Sequence, residues 1–169
     1  MTEMGHMIQG CIGNENIINE FHRLLKDCEL IVEELPQQYY LLYLTDSLYD
    51  CFHTSNDSEQ DIEPFDYLNH SMKQFFERIS LVGDFVYIET DYFGGVGAQS
   101  AGVFQDGQLR SVFVSDGSTL DTDIPYPERL KEEPINQVLR TIGVERKKNL
   151  DEFDTLCLGN YRHMPYNEI

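Results

Sequence analysis

Glu89 and Asp91 stand two residues apart in the β-rich stretch Phe85 to Tyr92. On a strand, residues i and i+2 share a face, so the two carboxylates point the same way. Such a pair suits a divalent cation or a division of acid and base roles. The residue between them is Thr90 and no third ligand is marked, so a solvated strand face is the plainer expectation. His6 would join the pair only if its own strand lay alongside.

The next segment, Tyr92-Phe93-Gly94-Gly95-Val96-Gly97-Ala98-Gln99, is the most unusual in the chain. A glycine-rich loop cradles phosphate when it opens onto a helix N-terminus. Here Ser100 to Phe104 reads as a strand, no Walker lysine follows, and Glu89, Asp91 and Asp106 would repel an anion. A hairpin connection accounts for the glycines. Tyr92 and Phe93 on its tip would anchor a partner. The candidate binding residues are therefore Glu89, Asp91, Tyr92, Phe93, Gly94, Gly95, Gly97 and Gln99. No catalytic residue, metal ligand or cofactor is assigned. The histidines (6, 22, 53, 70, 163) show no metal-ligand spacing, and no Gly-x-Ser-x-Gly elbow is present.

The elements that would position these residues follow from periodicity. Residues 4–12 read as a first strand. Asn14 caps a helix carrying Ile17, Ile18, Phe21, Leu24 and Leu25, running to about Lys26. Residues 28–34 read as a second strand and Tyr39 to Leu44 as a buried one. Asp46 is expected to cap a short helix with Leu48, Tyr49 and Phe52. Residues 54–63 read as a surface loop. Phe65, Leu68, Met72, Phe75, Phe76 and Ile79 form one helical stripe.

Residues 84–114 read as a three-stranded antiparallel meander, with Asp106-Gly107 as a hairpin turn. After an irregular crossing over 115–132, Pro134 opens a helix carrying Ile135, Val138, Leu139 and Ile142, and Gly143 ends it. Asp151 to Leu156 is a short last helix. The tail around Tyr161-Arg162-His163 reads as a surface terminus, with closure over a groove as the alternative. The fold class is α+β: a single domain over 1–169, with a mostly antiparallel sheet and four or five helices packed on it. The expected core is Ile8, Ile18, Phe21, Leu25, Leu42, Leu44, Leu68, Phe75, Phe76, Phe85, Tyr87, Val103, Phe113, Val138, Leu139 and Phe153.

Charge narrows the partner class. The 169 residues carry 30 acidic against 12 basic side chains, a formal net charge of -18. From Asp27 to Met72 there are 11 acidic residues and no lysine or arginine. This field repels a polyanion, so direct nucleic-acid binding is not expected. It attracts a basic protein and speeds encounter with it. No apolar run approaches the roughly 20 residues that span a bilayer. No secretory signal is read, and Cys11, Cys28, Cys51 and Cys157 read as buried free thiols in a reducing cytoplasm. Oligomeric state is left open, with pairing of the strand-rich middle across subunits as one option.

Three stretches resemble a family of small, uncharacterised bacterial proteins. They are Met4-Gly5-His6-Met7-Ile8-Gln9-Gly10, Tyr87 through Gln99, and the closing part, with Ile135-Asn136, Gly143-Val144 and Asp151-Glu152-Phe153-Asp154 to Leu158-Gly159. The resemblance implies a bacterial cytoplasmic origin and carries no activity across. The leading functional expectation is an acidic, non-enzymatic interaction protein of the immunity type, an inhibitor of a basic toxin or nuclease. The alternative is a small-ligand or metal-binding enzyme with its site at Glu89, Asp91 and loop 93–99.

Overall fold

The computed structural model describes residues 6–52, 62–93, 96–115, 133–161 and 164–165. Among the described residues six strands form one antiparallel sheet: β1 (His6–Asn14), β2 (Val32–Glu34), β3 (Tyr39–Tyr43), β4 (Phe85–Phe93), β5 (Val96–Gln105) and β6 (Gln108–Ser115). Their spatial order is β2-β3-β1-β4-β5-β6. The five α-helices among the described residues are α1 (Glu15–Leu24), α2 (Asp46–Cys51), α3 (His70–Ile79), α4 (Pro134–Thr141) and α5 (Glu152–Thr155). The α+β class and the antiparallel meander are as the sequence predicts.

Strand alternation divides the core in two. Cys11, Leu42, Phe85, Tyr87 and Phe104 face one way and pack with Ile17, Ile18 and Phe21 of α1, Leu48 of α2, and Met72, Phe76 and Ile79 of α3. Ile8, Ile12, Leu41, Val86, Ile88 and Val103 face the other way, against Ile135, Val138 and Leu139 of α4. The sheet is thus sandwiched between α1–α3 and α4–α5, and its central strands are apolar on both faces. Of the expected core, Leu25, Phe75, Phe113 and Phe153 are only partly buried.

Turn chemistry fixes the meander. Asp106 and Gly107 both take positive φ, 52° and 81°, as a two-residue hairpin of matching twist requires. The end of α3 clamps this turn: the Gly107 N–H donates to Ser80 Oγ at 2.8 Å and the Leu109 N–H to Glu77 Oε2 at 2.9 Å.

Several boundaries differ from the sequence reading. The stripe from Phe65 to Ile79 is not one helix. Helix α3 starts at His70, and the side chain of Asn69 caps it by accepting from the Met72 N–H at 2.9 Å. Phe65 and Leu68 still enter the same core from a non-helical approach, whose Asp66 and Tyr67 amides donate to Glu89 rather than along a helix. Periodicity therefore reports burial there, not helix. Thr45, not Asp46, caps α2, accepting from the Leu48 N–H at 3.1 Å. Asp46 takes the first helical position, where a negative charge suits the dipole. The second strand shrinks to three residues and α1 ends at Leu24. Residues 54–61 of the expected loop lie outside the described residues.

The cysteine reading is also corrected. Cys28, after α1, and Cys51, at the end of α2, form a disulfide with Cα atoms 6.7 Å apart. Cys157 is exposed, and Cys11 is the buried free thiol. The packing of α2 beside the end of α1 brings together two cysteines 23 positions apart, a proximity that spacing along the chain does not reveal. The cysteines thus supply no argument for a reducing compartment. No helix among the described residues is long and apolar enough to cross a membrane.

Candidate functional site

The helices leave one end of the sheet uncovered on the α1–α3 side. Register places a row of side chains there: Gln9 of β1 opposite Glu89 of β4, and Glu89 opposite Ser100 of β5. The next row outward is Met7, Asp91 and Ala98. The approach to α3 and the start of α2 stand over these rows as walls.

Glu89 lies at the centre and is 7% exposed. Its Oε1 accepts from the Asp66 N–H at 2.7 Å. Its Oε2 accepts from the Tyr67 N–H at 3.1 Å and the Tyr87 hydroxyl at 2.7 Å. The expected solvated strand face therefore holds for Asp91, which is exposed, and fails for Glu89. Three donors occupy the Glu89 carboxylate, which latches residues 66–67 onto the sheet.

Burial is the largest cause acting on the Glu89 carboxyl and pushes it up, while the hydrogen bonds from Tyr87, Asp66 and Tyr67 pull it partly back. A carboxyl raised on folding binds more proton in the native state between its unfolded and folded values. Stability from this group is therefore present below the unfolded value and lost as pH rises through the folded one. The Glu89 carboxyl is expected to titrate above the usual carboxylate range by carbon-detected NMR. The stability difference between wild type and Glu89→Gln should shift against wild type across that same window. A midpoint at the ordinary carboxylate value would contradict the burial argument.

Beside the latch opens a cleft of about 400 Å³, walled by Asp46 and Tyr49 of α2, by Asp66 and Tyr67, by Met7 and Gln9 of β1, and by Met164 and Pro165 of the tail. A smaller recess of about 50 Å³ continues from it past Glu89 and Asp91 to Ala98 and Ser100. That space suits one or two waters, not a substrate. The Tyr49 and Tyr67 rings meet edge to face, 6.5 Å between centroids and 88° apart. Among the described residues the cleft lining contains no lysine or arginine.

The electrostatics are strongly negative. Partial burial raises the Tyr67 phenol, and the charges of Glu89, Asp66, Asp91 and Asp46 push it up further. Four carboxylates therefore act on one ring. They are spread out: no three acidic, histidine or cysteine side chains among the described residues converge closely enough to hold a metal ion. The arrangement fits a broad organic cation, such as a guanidinium or an ammonium on its alkyl stem, with the aromatic rings and Met7 against the stem.

The predicted binding residues are only partly brought together. Glu89 and Asp91 share the recess. Gln99 pairs with Thr90 and lies on the other face of the sheet, where its Oε1 accepts from the Ile135 N–H at 3.1 Å at the start of α4. The backbones of Tyr92 and Gly97 pair with each other, and Gly94 and Gly95 lie outside the described residues. His6 does sit on the neighbouring strand, but its backbone pairs with Tyr92, one residue out of step with Glu89 and Asp91.

Asp46, Tyr49, Asp66 and Tyr67 were not singled out as a site by sequence. The available signal was that two tyrosines and two aspartates of the acidic segment 27–72 flank predicted helix starts. Met164 and Pro165 of the tail line the cleft, whereas Tyr161 packs against the core on the other face of the sheet and Arg162 and His163 lie outside the described residues.

Comparison with protein families, with curated proteins and with solved structures gives no match to this chain. The resemblance noted above rests on its motifs alone.

Proposed function

We propose that this chain is a non-enzymatic interaction protein that binds a basic partner, taking one of the partner's cationic side chains into the cleft between α2 and the approach to α3. The observation that carries this is the composition of that cleft: Asp46, Asp66, Tyr49 and Tyr67 around about 400 Å³, with no lysine or arginine among its described lining residues. The cleft walls that carry its carboxylates, α2 and residues 66–67, come from the acidic segment 27–72, so local recognition and long-range attraction act in the same place. A basic nuclease-type toxin is the partner class that best matches such a surface, since carboxylates on an inhibitor occupy a cleft built for phosphate. Close charge pairs at such interfaces contribute about 1.5–7 kcal/mol.

An enzymatic role for Glu89 and Asp91 has less support. Both Glu89 oxygens already accept hydrogen bonds, and the recess beside them is small.

A hexa-arginine peptide is a suitable probe. Titration should broaden or shift the NMR signals of the Met7 methyl and the Tyr49 and Tyr67 rings. Affinity should fall steeply from about 50 to about 500 mM salt, because exposed charges are screened over that range. Asp46→Asn with Asp66→Asn should weaken binding by at least about tenfold, as loss of a charge-assisted hydrogen bond costs about 1.5–3 kcal/mol. Affinity that is indifferent to salt, or equal in the double variant, would count against the proposal.

A further inference from the structure

The two edges of the sheet are built differently. At one edge, β2 is three residues long and carries Glu33 and Glu34. A short, charged edge resists pairing with another chain. At the other edge, β6 runs for eight residues, Gln108-Leu109-Arg110-Ser111-Val112-Phe113-Val114-Ser115, about 27 Å of extended chain. Among the described residues no strand pairs with its outer side. It contains no acidic residue in a chain of net charge -18, and its one charged side chain is Arg110. Val112 and Val114 are 41% and 58% exposed. Register puts them opposite Gly102 and Ser100, on the same sheet face as Tyr87 and Glu89.

A second exposed apolar pair stands at the start of the same strand. Leu81 and Val82, just after α3, are 70% and 46% exposed. Leu81 lies against the hairpin turn: a Cβ added at Gly107 would come within 3.0 Å of its Cδ2. The edge thus has valines near its end and a leucine corner near its beginning.

We infer that β6 is the contact strand of a homodimer, pairing antiparallel with β6 of a second copy to join two six-stranded sheets. Antiparallel pairing of identical strands is two-fold symmetric and puts the end of each strand beside the start of the other. Val114 of each copy then approaches the Leu81 corner of its partner on the same face, so the exposed apolar side chains cover one another. Charge favours a second copy here. Two chains of -18 repel wherever carboxylates meet, and β6 contributes none of its own; the carboxylates beside it, Glu77 and Asp106, are confined to its start, where Glu77 accepts from the Leu109 N–H and Asp106 pairs with Arg110. The dimer does not depend on the cleft reading, and it has the opposite salt response: screening weakens attraction to a basic partner but relieves repulsion between copies.

Sedimentation of the full chain from about 10 μM to about 1 mM, at low and high salt, is the test, since dimer population follows mass action. The expected mass is twice 19.6 kDa at the upper concentrations, with more dimer at higher salt. Val112→Lys with Val114→Lys should return the mass to 19.6 kDa with an unchanged circular-dichroism spectrum, because both side chains are exposed in the single copy. Hydrogen exchange of the wild type gives a readout free of any substitution: β6 amides should slow as concentration rises.

A monomer at every concentration overturns the inference and leaves the edge to a foreign strand. A dimer that survives the double substitution, that dissociates on adding salt, or that forms without slowing β6 exchange overturns it as well.

Discussion

Glu89→Ala is expected to destabilise the protein by about 3 kcal/mol and to abolish the hexa-arginine response even where the fold survives. The carboxylate accepts from two consecutive amides and a buried tyrosine hydroxyl. Removing it leaves the Tyr87 hydroxyl, on a fully buried ring, without its acceptor, and each stranded buried donor costs about 1–3 kcal/mol. The Asp66 and Tyr67 amides are nearer solvent, and water recovers part of their loss once the segment lifts. Glu89 also positions the cleft wall, since Asp66 and Tyr67 are the residues it holds. Glu89→Gln separates the two effects. The amide keeps one acceptor oxygen but turns an NH₂ toward the remaining donors, so it should cost less in stability while still loosening residues 66–67. Urea melts of both variants, read beside peptide affinity, decide the matter. A Glu89→Ala protein as stable as wild type would mean that the latch carries no energy.

What the sequence reveals and what it conceals divide along one physical line. Features written locally are legible. Asn14 before an apolar 3.6-period run predicts α1 and its cap, and Asp106-Gly107 predicts the hairpin because both positions need positive φ. Pro134 and Gly143 bracket α4 by what each cannot do inside a helix. Features that depend on long-range register are not legible. The sequence around Glu89 does not show that it is buried, because two of its three donors, the amides that cover it, come from residues 66 and 67, more than 20 positions away. Gln99 looks like part of the same loop constellation, but one step of strand parity sends it to the opposite face to meet Ile135. Asp46 and Tyr49 become neighbours of Asp66 and Tyr67 only once α2 and the approach to α3 meet over β1. The acidic bias of 27–72 is visible in composition alone, while its concentration into a cleft is a consequence of topology.

Phe76→Ala is expected to be the most destabilising single substitution, at about 4–5 kcal/mol, within the range for large aromatic truncations in a core. Phe76 is 1% exposed and its ring meets six others: Phe21 at 5.8 Å, Phe52 at 5.9 Å, Phe75 at 6.4 Å, Phe85 at 5.9 Å, Tyr87 at 5.5 Å and Phe104 at 5.6 Å. These rings belong to α1, the end of α2, α3, β4 and β5, so no single element can shift to fill the hole without breaking contacts elsewhere. Edge-to-face pairs add about 0.5–1.5 kcal/mol each beyond area burial.

Helix α3 is therefore held at two places, by Phe76 in the core and by the Glu89 latch just before its start. Tyr87 touches both, its ring tilted 43° against that of Phe76 and its hydroxyl donating to Glu89. Groups that share a partner do not contribute independently. The double variant Phe76→Leu with Glu89→Gln should depart from the sum of its single effects by more than about 0.5 kcal/mol, the usual limit for independent sites. Leucine and glutamine are chosen so that both singles remain folded. Strict additivity in denaturant melts would show that the core and the cleft wall are mechanically separate. Coupling would mean that the cleft inherits its shape from the aromatic cluster beneath it.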